Sequence, residues 1–182
     1  MTSAFDTALA HTLGIEGGYA DNPYDSGGIT NFGITEAVAR AFGYKGPMTA
    51  LPLKVAVDIY RQNYWDLLQL DKVAMVSVDV AVKLFDVAVN CSPGFAARSF
   101  QRCLNALNRR QKYYPNMPVD GLVGAVTISA LRTFLSSRGK GGQVVLLRMI
   151  NSLQGARYIL LGEKNEKDEE FTYGWFSNRI TM

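Results

Sequence analysis

Residues 16–35, EGGYADNPYDSGGITNFGIT, decide how this chain is read. The stretch opens on a lone acid, Glu16, that runs into Gly17-Gly18, and it carries a second acid, Asp25, further on. Asn22-Pro23 and Ser26-Gly27-Gly28 are turn signals. Thr30 follows them, and Ile29 to Ile34 has the apolar and β-branched content of a short hairpin closing near Asn31. A polar, turn-rich loop therefore comes directly after an acid, and a small sheet directly after the loop.

Upstream, Ser3 with Asp6 three positions on resembles a capping box with Asp in the place of the usual Glu or Gln, so a helix starts near Ala4. Phe5, Ala8, Leu9, Thr12, Leu13 and Glu16 recur at three- and four-residue steps and share one face. Gly17 and Gly18 supply the positive φ that ends a helix. Glu16 is thus the last position of a buried stripe. Partial desolvation there predicts a raised pKa and a carboxyl that stays protonated near neutral pH. Asp25 and Thr30 are the polar groups the turn would bring round to face it. A protonated acid opposite a polar loop that orients water and sugar is what hydrolysis of a glycosidic bond requires. The competing reading is structural: an exposed Glu at a frayed helix end, and an Asp that caps its own turn.

The spacing of Glu16, Asp25 and Thr30 looks like the Glu/Asp/Thr constellation of phage-type lysozymes, one residue tighter before the threonine. The pattern EGGY…D…GG.T..GIT more closely resembles the glycoside hydrolase family 108 N-acetylmuramidases, lysozyme-type enzymes found among phage endolysins. The resemblance continues through YRQNYWD at 60–66, FDVAVNCSPG at 85–94, FQRCLNALN at 100–108, DGLVGAVT at 120–127 and GWFSNR at 174–179. It implies a bacteriolytic peptidoglycan hydrolase that cleaves the β-1,4 bond from N-acetylmuramic acid to N-acetylglucosamine. Glu16 would be its general acid, with Asp25 and Thr30 as catalytic partners. It also implies a mainly α, lysozyme-like fold (α+β, with a small β-hairpin). One departure stands out: Cys91-Ser92-Pro93 occupies a junction where a glycine is expected after Val89-Asn90, which should alter a helix junction and not the chemistry. Two rivals share the evidence, a lytic transglycosylase acting on the same bond and a non-catalytic peptidoglycan-binding protein.

Aromatic rings suit the faces of sugars, so Tyr19, Tyr24, Tyr60 and Trp65 are substrate-binding candidates, together with Asn90. Trp175 reads better as a core anchor. The chain has one histidine and two cysteines. These do not supply the grouped ligands zinc needs, so no metal and no cofactor are expected. A Ser-His-Asp or Cys-His arrangement would have to run through His11, which reads as a surface residue. Cys91 and Cys103 read as free thiols.

At 182 residues and 48% hydrophobic content the chain can bury a real core. No apolar run approaches the roughly 20 residues of a bilayer span, and MTSAFDTALAHTLG lacks the basic lead of a secretory signal. The expected location is a bacterial host cytoplasm before release to the wall. Caps and periodicity predict helices after Thr35, from Pro52 to Trp65, after Ser77, from Ser92-Pro93 toward Leu107, after Thr127, and from Gln143 to Gly162, with Gly139 to Gly142 as a flexible connector. The expected organisation is a catalytic part at 1–92 and a helical, peptidoglycan-binding-like part at 93–182, packed as one monomeric body.

Charge is uneven. Residues 94–162 carry ten Lys/Arg and one acid, although the whole chain has a net charge of only +3. Such a segment attracts anionic polymers by salt-sensitive steering. Peptidoglycan is the expected partner, with anionic outer-membrane lipid as a second. A nucleic-acid partner is disfavoured, because no recognition helix, RNP motif or finger accompanies the basic run.

Overall fold

The computed structural model describes residues 2–16 and 29–180. Helix α1 spans Ala4–Glu16 and starts as the capping box requires. The Ser3 N–H donates to Asp6 Oδ2 and the Asp6 N–H to Ser3 Oγ, both at 3.0 Å. Strands β1 (Thr30–Asn31) and β2 (Ile34–Thr35) form an antiparallel hairpin with Asn31 opposite Ile34. Its turn has positive φ at both Phe32 and Gly33, as a two-residue hairpin turn demands. Thr35 then caps α2, Glu36–Phe42, which ends on Gly43 at φ 103°.

Helix α3, Leu53–Tyr60, follows Pro52, which stands as its cap residue and not inside its first turn. The chain continues through a π-helical segment, Arg61–Asp66, where the sequence predicts unbroken α-helix. The widened turn has a packing reason. In an α-helix a residue five places on points well away from its partner, and the extra residue turns Trp65 toward the core that holds Tyr60. Helix α4, Leu70–Ala74, is short and was not legible from periodicity.

Helix α5, Val78–Cys91, is capped by Ser77 and forms the central column. Helix α6, Pro93–Leu107, begins from Ser92, whose φ of 137° is a conformation glycine favours. Serine therefore stands in a glycine-like position at the junction where the sequence departs from the family pattern. Two amides of α6 and a third from its C-cap residue, Asn108, hold the long loop that follows. Gln101 donates to Asp120 Oδ1 at 2.7 Å and accepts from the Gly121 N–H at 2.9 Å. Asn105 pairs with both backbone groups of Met117, and Asn108 donates to Asn116.

Helix α7 runs Ala125–Lys164, broken only at Gly139 (φ 57°, ψ −151°). The Gly139–Gly142 stretch is thus a kink within helix and not a flexible connector. Thr127 lies inside the first turn with Gly124 at the cap position, so it does not cap the helix. By length and hydropathy alone α7 would pass for a membrane span. It reaches that average without an unbroken apolar run, since Arg132, Arg138, Lys140, Arg148 and Arg157 interrupt it, and Leu146, Ile150 and Tyr158 are buried in the protein. Helix α8, Glu166–Arg179, is a further element the sequence reading did not anticipate.

The core is aromatic where α1 meets α5. Phe5, Trp65 and Phe85 meet edge to face at centroid distances of 5.4 to 6.0 Å, a geometry that adds to the area they bury. The Arg61 guanidinium lies 5.1 Å from the Phe5 ring centre and pairs with Asp66 and Asp71. This cluster fixes the first half of α1 and so the direction in which the helix delivers Glu16.

Candidate active site

The buried face of α1 is Phe5, Ala8, Leu9 and Thr12, the stripe expected from the sequence. Glu16 is the last residue of that helix. Its side chain lies outside the described residues, as do Tyr19, Tyr24 and Asp25. Thr30 opens β1, half-buried and paired with Thr35. The hairpin is tied down from behind: Tyr60 donates its hydroxyl to Phe32 O at 2.8 Å, and Asn31 Nδ2 donates to Met48 O at 2.8 Å.

Those ties correct part of the substrate-binding expectation. Tyr60 and Trp65 are both fully buried. Trp65 Nε1 donates to Asp71 Oδ1 at 2.9 Å. Neither ring offers a face to a sugar; both are the supports on which the helix and hairpin rest. Asn90 spends its amide on Asp86, donating to the carbonyl at 2.7 Å and to Oδ1 at 3.1 Å. Trp175 is half-buried and lies against Tyr158 and Phe171.

Asp86 is the centre of a buried polar network that sequence reasoning missed. Each carboxylate oxygen accepts two hydrogen bonds. Oδ1 takes Arg179 Nη1 and Asn90 Nδ2, and Oδ2 takes Lys83 Nζ at 3.0 Å and Gln154 Nε2 at 3.1 Å. Lys83 also donates to the Arg179 carbonyl at 3.0 Å. Gln154 donates further to the Tyr158 hydroxyl, whose pKa burial pushes up. The network joins α5 to α7 and α8. A signal for it existed, because Asp86 lies in FDVAVNCSPG and Arg179 in GWFSNR, two of the stretches that carry the family resemblance.

The network lines one side of a cavity of about 490 Å³. Thr7 and His11 of α1 form another side, Val144, Leu147, Arg148 and Asn151 of α7 a third, and Asn178 closes it from α8. His11 is exposed, as expected, yet it faces this space.

The two cysteines are free. Burial raises both thiols, from an ordinary value near 9 to about 11. They are packing groups with little thiolate at neutral pH.

A mainly α body with a two-stranded hairpin, and a helix that ends on an acid ahead of that hairpin, has the architecture of a lysozyme-like fold. Residues 9–92 match the family model of glycosyl hydrolase 108, and residues 95–180 match that of a predicted peptidoglycan domain. The first part of the chain is thus similar to the glycosyl hydrolase 108 family, and the second part to a peptidoglycan domain. The chain is a glycoside hydrolase whose partner is peptidoglycan. Among solved structures it is similar to one titled "Structure of Brucella abortus SagA", with 29% identity, a TM-score of 0.67, and coverage of 95% of this chain and 87% of that one. No curated protein sequence matches the chain.

Proposed function

We propose that this hydrolase is an endolysin-type N-acetylmuramidase, cutting the β-1,4 bond between N-acetylmuramic acid and N-acetylglucosamine to lyse bacteria. The observation that carries the reading is the glycosyl hydrolase 108 match over a segment whose first helix ends on Glu16. Glu16 protonates the leaving oxygen as positive charge builds on the sugar ring. Asp25, with Thr30, orients the attacking water or steadies that charge. Tyr19 and Tyr24, which flank the turn in sequence, are the remaining aromatic candidates for the glycan.

The basic 94–162 segment supports a second contact with anionic surfaces, wall or outer-membrane lipid. None of its ten Lys/Arg residues forms a salt bridge with an acid among the described residues. The protein acts as a monomer, made in the host cytoplasm and released to the wall.

Mass spectrometry of the products decides the chemistry. Digested sacculi should yield muropeptides with a reducing N-acetylmuramic acid end. Products lighter by one water, with a 1,6-anhydro ring, would make the chain a lytic transglycosylase instead.

A further inference from the structure

The loop between α6 and α7 gathers positive charge that the glycosidic step does not use. We propose that the seam between residues 109–117 of this loop and α7 is a docking surface for a phosphate-bearing lipid membrane, with cations for the headgroups at one end and an apolar groove for acyl chains at the other. The inference deepens the contact with anionic surfaces proposed above and rests on that reading.

The cations converge on one ring. Arg138 of α7 lies over Tyr113, its guanidinium carbon 5.6 Å from the ring centre. A hydrogen bond with Arg109 holds the Tyr113 phenol below its ordinary pKa, and the charges of Arg138, Arg109 and Lys112 act in the same direction. Arg110 stands between them in the chain. All four cations are exposed, and none forms a salt bridge with an acid among the described residues. Asp120, the one acid of the 94–162 segment, lies beside Gln101 and Arg98, about two turns back along α6.

Like charges repel, so such a gathering needs a rigid frame. Arg109, Arg110 and Gln111 all hold left-handed backbone, at φ 55°, 55° and 63°, a conformation that side chains resist. Asn108 Oδ1 accepts from the Gln111 N–H at 3.0 Å, and Gln111 Oε1 accepts from the Asn116 N–H at 3.2 Å. These two bonds brace the turn that presents the arginines.

The other end of the seam is apolar. Tyr114, Pro115 and Met117 of the loop and Ala125, Val126 and Ala130 of α7 line a groove of about 370 Å³. Val126 is 65% exposed there. Ala130 and Arg138 lie on the same run of α7, before the kink at Gly139, about 12 Å apart along the axis. Exposed apolar surface beside charge marks an interaction site, and a lipid leaflet supplies both partners at once, a plane of phosphates over alkyl chains. The carboxylates of peptidoglycan are single charges on separate peptides, a poorer match for four cations at one turn. A nucleic acid would look for a stacking platform, and the Tyr113 ring is half-buried with Arg138 upon it.

The test is co-sedimentation of the full chain with vesicles of phosphatidylglycerol and phosphatidylcholine in equal parts, beside vesicles of phosphatidylcholine alone. Wild type should bind the anionic vesicles and not the neutral ones. Arg109→Gln/Arg110→Gln/Lys112→Gln should bind about a hundredfold more weakly, near fivefold for each charge. Arg138→Gln, which leaves the left-handed turn untouched, should lose about fivefold. Lys45→Gln/Lys164→Gln/Lys167→Gln removes the same charge elsewhere and should stay within about twofold of wild type. Val126→Asn changes no charge and should weaken binding several-fold through the groove. Equal binding to both kinds of vesicle, or unchanged binding by Val126→Asn, overturns the proposal. Retention of single-stranded RNA at a salt concentration that releases the vesicles also overturns it, in favour of a nucleic-acid site. Equal weakening by the two triple variants removes the seam and leaves a general anionic contact standing, whereas wild type that binds no anionic vesicle refutes the lipid contact altogether. Vesicles contain no glycan, so either failure alongside normal wall clearing leaves the hydrolase reading intact.

Discussion

Arg179 Nη1 lies 3.1 Å from Asp86 Oδ1, with both side chains buried and 93 positions between them in sequence. The pair fastens the end of the last helix to the central helix of the hydrolase half. Because Lys83 and Gln154 complete the coordination of the same carboxylate, the end of α8 is held by a saturated polar network and not by apolar packing alone.

Removing the carboxylate should therefore be costly. Asp86→Ala takes from Lys83 and Arg179 the carboxylate they share in a poorly solvated place, and breaking a buried pair in this way costs about 3–5 kcal/mol. For a chain of this size the melting temperature should fall by on the order of 10 °C. Asp86→Asn keeps the shape and part of the bonding and should lose less. A melting temperature for Asp86→Ala within about 2 °C of wild type would show that the network adds nothing.

Two glycines of the α7 kink should respond in opposite directions to alanine. Gly139 holds φ 57° and ψ −151°, which an L side chain resists, so Gly139→Ala should destabilise by about 1–3 kcal/mol. Gly141 lies within the helix with open space around the site of a Cβ, so Gly141→Ala should stabilise by about 0.5–1 kcal/mol. Urea denaturation of the two variants checks the signs. A shift of the same sign in both would contradict the assigned backbone.

The thiols make stability depend on alkaline pH. Folding raises Cys91 and Cys103 from near 9 to about 11 because burial disfavours the thiolate. The unfolded chain therefore gives up these protons first. The contribution of the neutral thiols is complete below about pH 9, declines above it, and is gone once the pH passes the folded value of about 11. Wild type should lose more stability between pH 8.5 and 10.5 than the Cys91→Ala/Cys103→Ala double variant. Parallel losses would mean that the thiols titrate normally in the folded protein.

Much of the helical skeleton was legible because its punctuation is local. Ser3, Thr35, Ser77 and Ser92 each sit at a helix start and accept from a backbone N–H three residues on. Gly43 ends α2 as a left-handed residue should. The buried stripe of α1, Phe5, Ala8, Leu9 and Thr12, was likewise visible in its spacing. The failures have non-local causes. The π-helical turn at Arg61–Asp66 exists so that Trp65 meets Phe5 and Phe85, partners distant in sequence. The same burial turns Tyr60 and Trp65 from sugar platforms into core supports, which composition does not reveal. Asp86 and Arg179 lie 93 positions apart, so no local pattern announces their pairing. Helix α8 opens with Glu166, Asp168 and Glu169 and has little apolar periodicity, so only its packing on α7 declares it.

The most direct measurement is the clearing of purified Gram-negative peptidoglycan by wild type and by Glu16→Gln, with the fold of each checked by circular dichroism. The substitution keeps the side chain's size and removes the transferable proton. Wild type should clear the suspension, and the folded variant should be slower by at least several hundred-fold, on the order of what a lost general acid costs. Equal clearing by both proteins would remove Glu16 from the chemistry and contradict the proposed mechanism.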